Sequence, residues 1–278
     1  MIYVMGMSHT VCLLRAVAAG RAPELDEWIT SKATDFTPVA TKPGMLPGDM
    51  LNSLIISDQG WGDIVQMQPA GDGSRMLQGH PGFIELLSQL QPRQHDAMLV
   101  SILHGSAHSA LSLVRHPQPF DFVLPGHEDL PFIEGAQPVA EAVIRSQLAP
   151  YQQSTVAALA LARVALPEIR LVHVFAPPPT ESEDEIRRVP EGFRQYLDHY
   201  GIAPLSLRLK YYHLSNRIIR EGLQAMGVSV HFVETPGQAL APSGGLKAEY
   251  AFGATHGNDA YGALLAAELK RLYDDGGP

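Results

Sequence analysis

The run Ala97-Met98-Leu99-Val100-Ser101-Ile102-Leu103 constrains this chain more than any other segment. It is too short for an ordinary helix and almost wholly apolar, the pattern of a strand buried on both faces inside a parallel sheet. Runs of similar character stand at Ile2-Tyr3-Val4-Met5, Leu54-Ile55-Ile56, Ile64-Val65-Gln66-Met67, Ile169 to Ala176 and 228–233. Helical patterns fall between them, at Thr10 to Ala16, Phe83 to Leu90, 137–166, 206–226 and 258–273. Strands alternating with helices predict an α/β fold with a mainly parallel central sheet.

The turn-rich Asp58-Gln59-Gly60-Trp61-Gly62-Asp63 is expected to join the second and third of these strands. Phe120 to Pro125 alternates like a half-exposed edge strand or an extended loop, and Pro150 is a candidate break in the long helical region. The acidic stretch Glu181-Ser182-Glu183-Asp184-Glu185 reads as a solvated helix start, because carboxylates suit a helix N-terminus. Tyr211-Tyr212, with Arg208, Lys210, Arg217 and Arg220, reads as an amphipathic helix with a solvated basic side. The functional alternative there is a rim that recognises an acidic or sugar-bearing substrate. Neither an internal repeat nor a long linker divides the 278 residues. One domain over 1–278 is expected, with an insertion or helical excursion around 137–167 and 180–226.

Composition narrows the function classes. Twenty basic against 29 acidic residues give a net charge of −9, without the Lys/Arg cluster that neutralises phosphates, so nucleic acid is not an expected partner. The single cysteine, Cys12, lies in the apolar run Val11-Cys12-Leu13-Leu14 and reads as a buried, inert thiol. No basic region followed by an apolar stretch and a cleavage site opens the chain, and no segment approaches the ~20 apolar residues that span a bilayer. A cytoplasmic protein without a membrane partner is the expectation.

In an open parallel sheet, ligands bind beyond the carboxyl ends of the strands, so the polar residues there carry the functional reading. Gly6-Met7-Ser8-His9-Thr10 follows the first strand. Ser8 there is either a helix cap or a hydroxyl presented beside free backbone N–H groups that steady negative charge. His104-Gly105-Ser106-Ala107-His108-Ser109 follows the central strand as a tight polar loop, and Ala254-Thr255-His256-Gly257-Asn258 precedes the last helix.

In that order the three segments resemble the blocks of SGNH (GDSL-type) hydrolases, across residues 6–262. Gly6-Met7-Ser8-His9 matches the nucleophile block with Met7 in place of the usual Asp, Gly105-Ser106-Ala107-His108 falls at the Gly-x-Asn block, and Gly253-Ala254-Thr255-His256 falls at the closing Asp-x-x-His block. The opening Gly-x-Ser-His and the closing Thr255 to Gly262 (Thr-His-x-Asn-x-x-Tyr-Gly) are similar to a bacterial SGNH-like group. The resemblance implies a flavodoxin-like fold, a three-layer α/β/α sandwich. It also implies a serine esterase or O-acyl (O-acetyl) hydrolase or transferase, acting on a small or carbohydrate-linked ester without cofactor or metal. Ser8 would be the nucleophile and His256 its base. The Ser8 N–H would be one oxyanion donor, with Gly71 or Gly60 supplying another, and Gly105, Ser106 and His108 would line the site where the family's Asn stands.

The departures define the alternatives. Gly253 occupies the position of the His-orienting Asp, and losing that carboxylate costs about 10⁴ in kcat in a serine-protease triad. Some SGNH enzymes work as a Ser-His dyad; Asp259, three residues past His256, is either a substitute or a helix-capping neighbour of Asn258. Losing one oxyanion donor costs about 10²–10³. A catalytically silent SGNH-fold binding protein is therefore the second reading. A metallohydrolase built on His9, His104, His108 and His256 is the third, although HExxH and Cys/His ligand patterns are absent.

Overall fold

The computed structural model describes residues 2–6, 8–19, 21, 28–32, 38–40, 51–55, 65–95, 97–103 and 107–276. β1 (Ile2–Gly6) leads into α1 (Thr10–Ala18), followed by β2 (Trp28–Lys32), β3 (Pro38–Ala40) and β4 (Leu51–Ile55). Next come β5 (Val65–Pro69), β6 (Arg75–Gly79), α2 (Pro81–Leu90), β7 (Met98–Ile102) and α3 (Ala107–Ser112). Two short paired segments, β8 (Phe120–Asp121) and β9 (Gln137–Pro138), precede α4 (Glu141–Ala165), β10 (Arg170–Val174), α5 (Glu183–Arg188), α6 (Arg194–Tyr200) and α7 (Leu205–Ala225). The C-terminal part holds β11 (His231–Val233), the paired β12 (Ala251–Phe252) and β13 (His256–Gly257), and α8 (Asp259–Asp274).

The main sheet runs β11-β10-β7-β1-β4-β2-β3. Every pairing in it is parallel except β2 with β3. Setting aside the β2–β3 edge, the remaining strands stand in the flavodoxin-like order 2-1-3-4-5. That order reverses between β1 and β7, where ligands of such sheets bind. Gly6 pairs with Ile102, so the two strands end together and Ser8 emerges beside the reversal.

Strand period two sorts the core into two layers. Ile2, Val4, Met98, Val100, Ile102, Val172 and Val174 pack with residues of α1 and α8. Met5, Leu99, Leu171 and Phe175 pack on the other face with residues of α2, α4 and α7. The chain is thus the expected α/β fold with helices on both faces of a mainly parallel sheet. The run at 98–102 is an interior strand next to the middle one, β1, and is fully buried.

Several local expectations change. β4 lies in the main sheet, whereas β5 leaves it to form a separate antiparallel hairpin with β6. α4 continues unbroken through Pro150. On α7 the basic side is not wholly solvated: Arg208 and Lys210 are buried, with Tyr211 and Tyr212. Lys210 pairs with the buried Asp121 at 2.8 Å, and Arg208 donates to the carbonyls of Ala203 and Thr180. Both cations thereby tie α7 to preceding segments, because a buried charge is tolerated only when partnered. Among the described residues, no helix is long and apolar enough to cross a membrane.

Candidate active site

Ser8 lies exposed in the turn between β1 and α1, its carbonyl accepting from the Val11 N–H at 3.1 Å. His256 comes from the other end of the chain, on β13, directly across from Phe252 on β12. Close contact between α1 and α8 unites them. A Cβ on Gly262 of α8 would stand 2.1 Å from the Cys12 carbonyl, so only glycine lets the two helices approach this closely. Asn258 caps α8, accepting from the Ala260 and Tyr261 N–H groups, and its amide donates to the carbonyls of Glu249 and Ala251. The cap therefore also braces the β12–β13 turn.

The result is a hydrogen-bonded chain. The Ser8 Oγ is 2.9 Å from His256 Nε2. His256 Nδ1 is 3.0 Å from Glu191 Oε1. An ionised carboxylate only accepts, so Nδ1 carries the proton and Nε2 is left to accept from the Ser8 hydroxyl. Thr255 holds the carboxylate: its hydroxyl donates to Glu191 Oε2 at 2.8 Å and its N–H to Oε1 at 3.3 Å. Burial by itself would raise the Glu191 carboxyl, but hydrogen bonds from His256 and Thr255 outweigh it and hold the group below the ordinary carboxylate range. Glu191 has φ +53°, a left-handed backbone unusual for a residue with a side chain.

Gly253 explains why the carboxylate comes from elsewhere. Its φ is +65°, and a Cβ there would lie 2.7 Å from the Val189 carbonyl and 3.0 Å from Glu191 Oε1. The space that an Asp side chain at 253 would need is filled by the segment that delivers Glu191. The Gly253 N–H donates to Glu185 Oε1 at 2.9 Å, and Glu185 is clamped by Arg188. The acidic stretch at 181–185 is thus more than a solvated helix start. Ser182 caps α5, as its position suggests, while Glu185 steadies the His256 turn. Ala254 packs with Leu113, Ile186, Leu197 and Ile202, fixing the same turn from its apolar side.

The other expected site residues fall differently. Asp259 is the first residue of α8 rather than the partner of His256. Gly71 sits in the exposed turn between β5 and β6, outside the main sheet and not in the lining of the cavity at Ser8. His108 is buried on α3, its ring 5.5 Å from that of Tyr212, because α3 packs on α7. Gly60, His104, Gly105 and Ser106 lie outside the described residues. Of the four histidines weighed as metal ligands, His9 and His256 are neighbours, with ring centroids 4.6 Å apart. Among the described residues, no three His, Cys, Asp or Glu side chains are grouped to hold a metal ion.

A cavity of about 160 Å³ opens on the pair, lined by Ser8, Val11, Cys12, Arg15, Phe252, His256 and Gly257. Cys12 is buried, its thiol donates to the His9 carbonyl, and burial pushes its pKa up to about 12, so it stays a neutral wall. A larger cavity of about 280 Å³, beside Leu111, Phe120, Ile133 and Leu207, contains neither Ser8 nor His256.

No family model matches the chain, and no curated protein matches it. Among solved structures, the periplasmic domain of the lipopolysaccharide acetyltransferase of Salmonella ser. Paratyphi A covers 97% of this chain and 82% of that one. The two are 9% identical, with a TM-score of 0.45.

Proposed function

We propose that this chain is a serine-dependent ester hydrolase or O-acyl transferase of SGNH type, working through a Ser8–His256–Glu191 triad. The observation that carries the proposal is the continuous chain from Ser8 Oγ through the imidazole to Glu191, with links of 2.9 and 3.0 Å. In the proposed reaction the Ser8 oxygen attacks the ester carbonyl carbon while His256 Nε2 takes the hydroxyl proton. Collapse of the tetrahedral intermediate breaks the bond to the alcohol, which leaves with that proton from Nε2. Water or a second hydroxyl then attacks the acyl-Ser8 by the same proton route and releases the acid or a new ester. Glu191 keeps Nδ1 protonated and faces the imidazolium that forms at each transfer. α1 starts two residues after Ser8, so the positive end of its dipole lies close to the developing oxyanion.

A catalytically silent protein was suggested by Gly253 and by the missing oxyanion Asn. Glu191 answers the first of these, since it offers an orienting carboxylate from another segment; the second remains the argument for the silent reading. Hydrolysis of p-nitrophenyl acetate by the wild type and by Ser8→Ala tests the proposal. Loss of at least about 10³-fold in Ser8→Ala is expected, and equal rates would overturn it. Labelling by a fluorophosphonate probe, lost in Ser8→Ala, is the second readout.

A further inference from the structure

We infer that the cavity at Ser8 takes short esters bearing a carboxylate close to the reacting bond, and that Arg15 recognises that anion. The inference rests on the proposed role of Ser8 and His256. α1 turns Val11, Cys12 and Arg15 toward the cavity, at the spacing of one helical face. Val11 is apolar and Cys12 is neutral, so Arg15 is the one permanently charged side chain in the lining.

Arg15 belongs with those arginines whose charge no carboxylate takes up. Arg145, Arg187, Arg188, Arg217, Arg220 and Arg271 all pair with carboxylates. Among the described residues, Arg15 has no such partner, in a chain whose net charge is −9. Its guanidinium instead lies 5.4 Å from the centroid of the Phe252 ring. Phe252 is the cross-strand partner of His256, so one hairpin positions both the imidazole and the cation. An aromatic face orients a guanidinium while leaving its planar fork of donors open, and that fork matches a carboxylate in two-point fashion. The cavity's 160 Å³ suits a group of a few carbons between the ester and the anion.

Two substrate pairs locate the charge. Monoethyl succinate against ethyl butyrate places it in the acyl part, and 4-acetoxybenzoate against phenyl acetate places it in the alcohol. In at least one pair the wild type should favour the anionic member in kcat/KM by about ten- to a hundredfold. The ratio should fall with added salt, collapse toward one in Arg15→Gln and be partly kept in Arg15→Lys. A wild type that favours the neutral member of both pairs, or an Arg15→Gln ratio equal to that of the wild type, overturns the inference. Should Ser8→Ala hydrolyse all four esters as the wild type does, the triad proposal fails separately. Isothermal titration of monoethyl succinate into wild type and Arg15→Gln then decides: binding that needs Arg15 supports the anion site, and equal or absent binding refutes it.

Discussion

Glu191 is the residue whose removal tests the proposed triad most sharply, because its backbone and its side chain have opposite interests. At φ +53° the backbone would favour glycine by about 1 kcal/mol, while deleting the side chain removes three hydrogen bonds, two from Thr255 and one from His256, each worth about 1 kcal/mol. The net loss of about 2 kcal/mol should lower the Tm of Glu191→Gly by roughly 5 °C, leaving it folded at assay temperature. Its activity should fall by about 10³–10⁴, since His256 loses the carboxylate that orients it and faces its charge, although the Thr255 hydroxyl stays 2.8 Å from Nδ1. Glu191→Gln separates those effects. Two donors, His256 Nδ1–H and the Thr255 N–H, converge on Oε1, so the Gln oxygen takes that place and the tautomer survives. What is lost is charge. Unit charges about 4 Å apart interact by ~4 kcal/mol at an effective dielectric near 20. Glu191 and His256 are each 23% exposed, and screening leaves about half of that, a factor of about 30 in kcat. The assay is kcat for p-nitrophenyl acetate, with circular-dichroism melts on the same preparations. A Glu191→Gly protein within threefold of wild-type turnover, alongside an inactive Ser8→Ala, would refute the orienting role.

Three further outcomes are expected. Gly253→Asp, which places a carboxylate where the resemblance in the sequence expects one, should lower both Tm and turnover, by more than about tenfold in kcat, because its Cβ meets the Val189 carbonyl at a strained φ; a gain in rate would contradict the geometry. Lys210→Met should cost about 3–5 kcal/mol in denaturant unfolding by leaving Asp121 buried and unpaired, and adding Asp121→Asn should recover part of it. Glu191, held below the ordinary range, contributes stability that is present above the unfolded carboxylate pKa of about 4.3 and is lost as pH falls through its lower folded value. The Tm gap between wild type and Glu191→Gln should accordingly shrink from pH ~7 to pH ~3, and a gap that widens would reverse the assigned sign.

The sheet was legible because its central strands are apolar on both faces. β1, β7 and β10 announce themselves without any knowledge of their neighbours, and strand-helix alternation then leaves few topologies. β5 was legible as a strand, but its pairing with β6 was not, since Met76-Leu77 is too short an apolar run, flanked by Arg75 and Gln78, to mark a strand. Pro150 misled for a different reason. A proline lacks one donor and crowds one carbonyl, but α4 is packed along the core through Ala158, Leu159 and Ala162, and that packing sustains the helix across the defect. The basic face of α7 is an error of the same kind. Charge predicts solvent unless a partner is known, and the partners of Lys210 and Arg208 lie 89 and 28 residues away, respectively.

The site divides along the same line, and the division explains how a residue as central as Glu191 escapes notice in the sequence. Ser8 and His256 are marked locally, each by a short motif at the border of a strand or helix. Glu191 follows Pro190 and precedes Gly192, a composition of ordinary turns, and reaches His256 only through the folding of α5 onto the Ala254 turn. The one trace it leaves in the motif is negative: a glycine where a carboxylate is expected. Gly253 is required by a positive φ and by the crowding of Val189 and Glu191 against its α-carbon, so that absence and the distant carboxylate are two views of one arrangement. A missing catalytic residue in a motif is thus a weak sign of lost activity when glycine replaces it, since glycine is also what a chain needs where another segment comes in close.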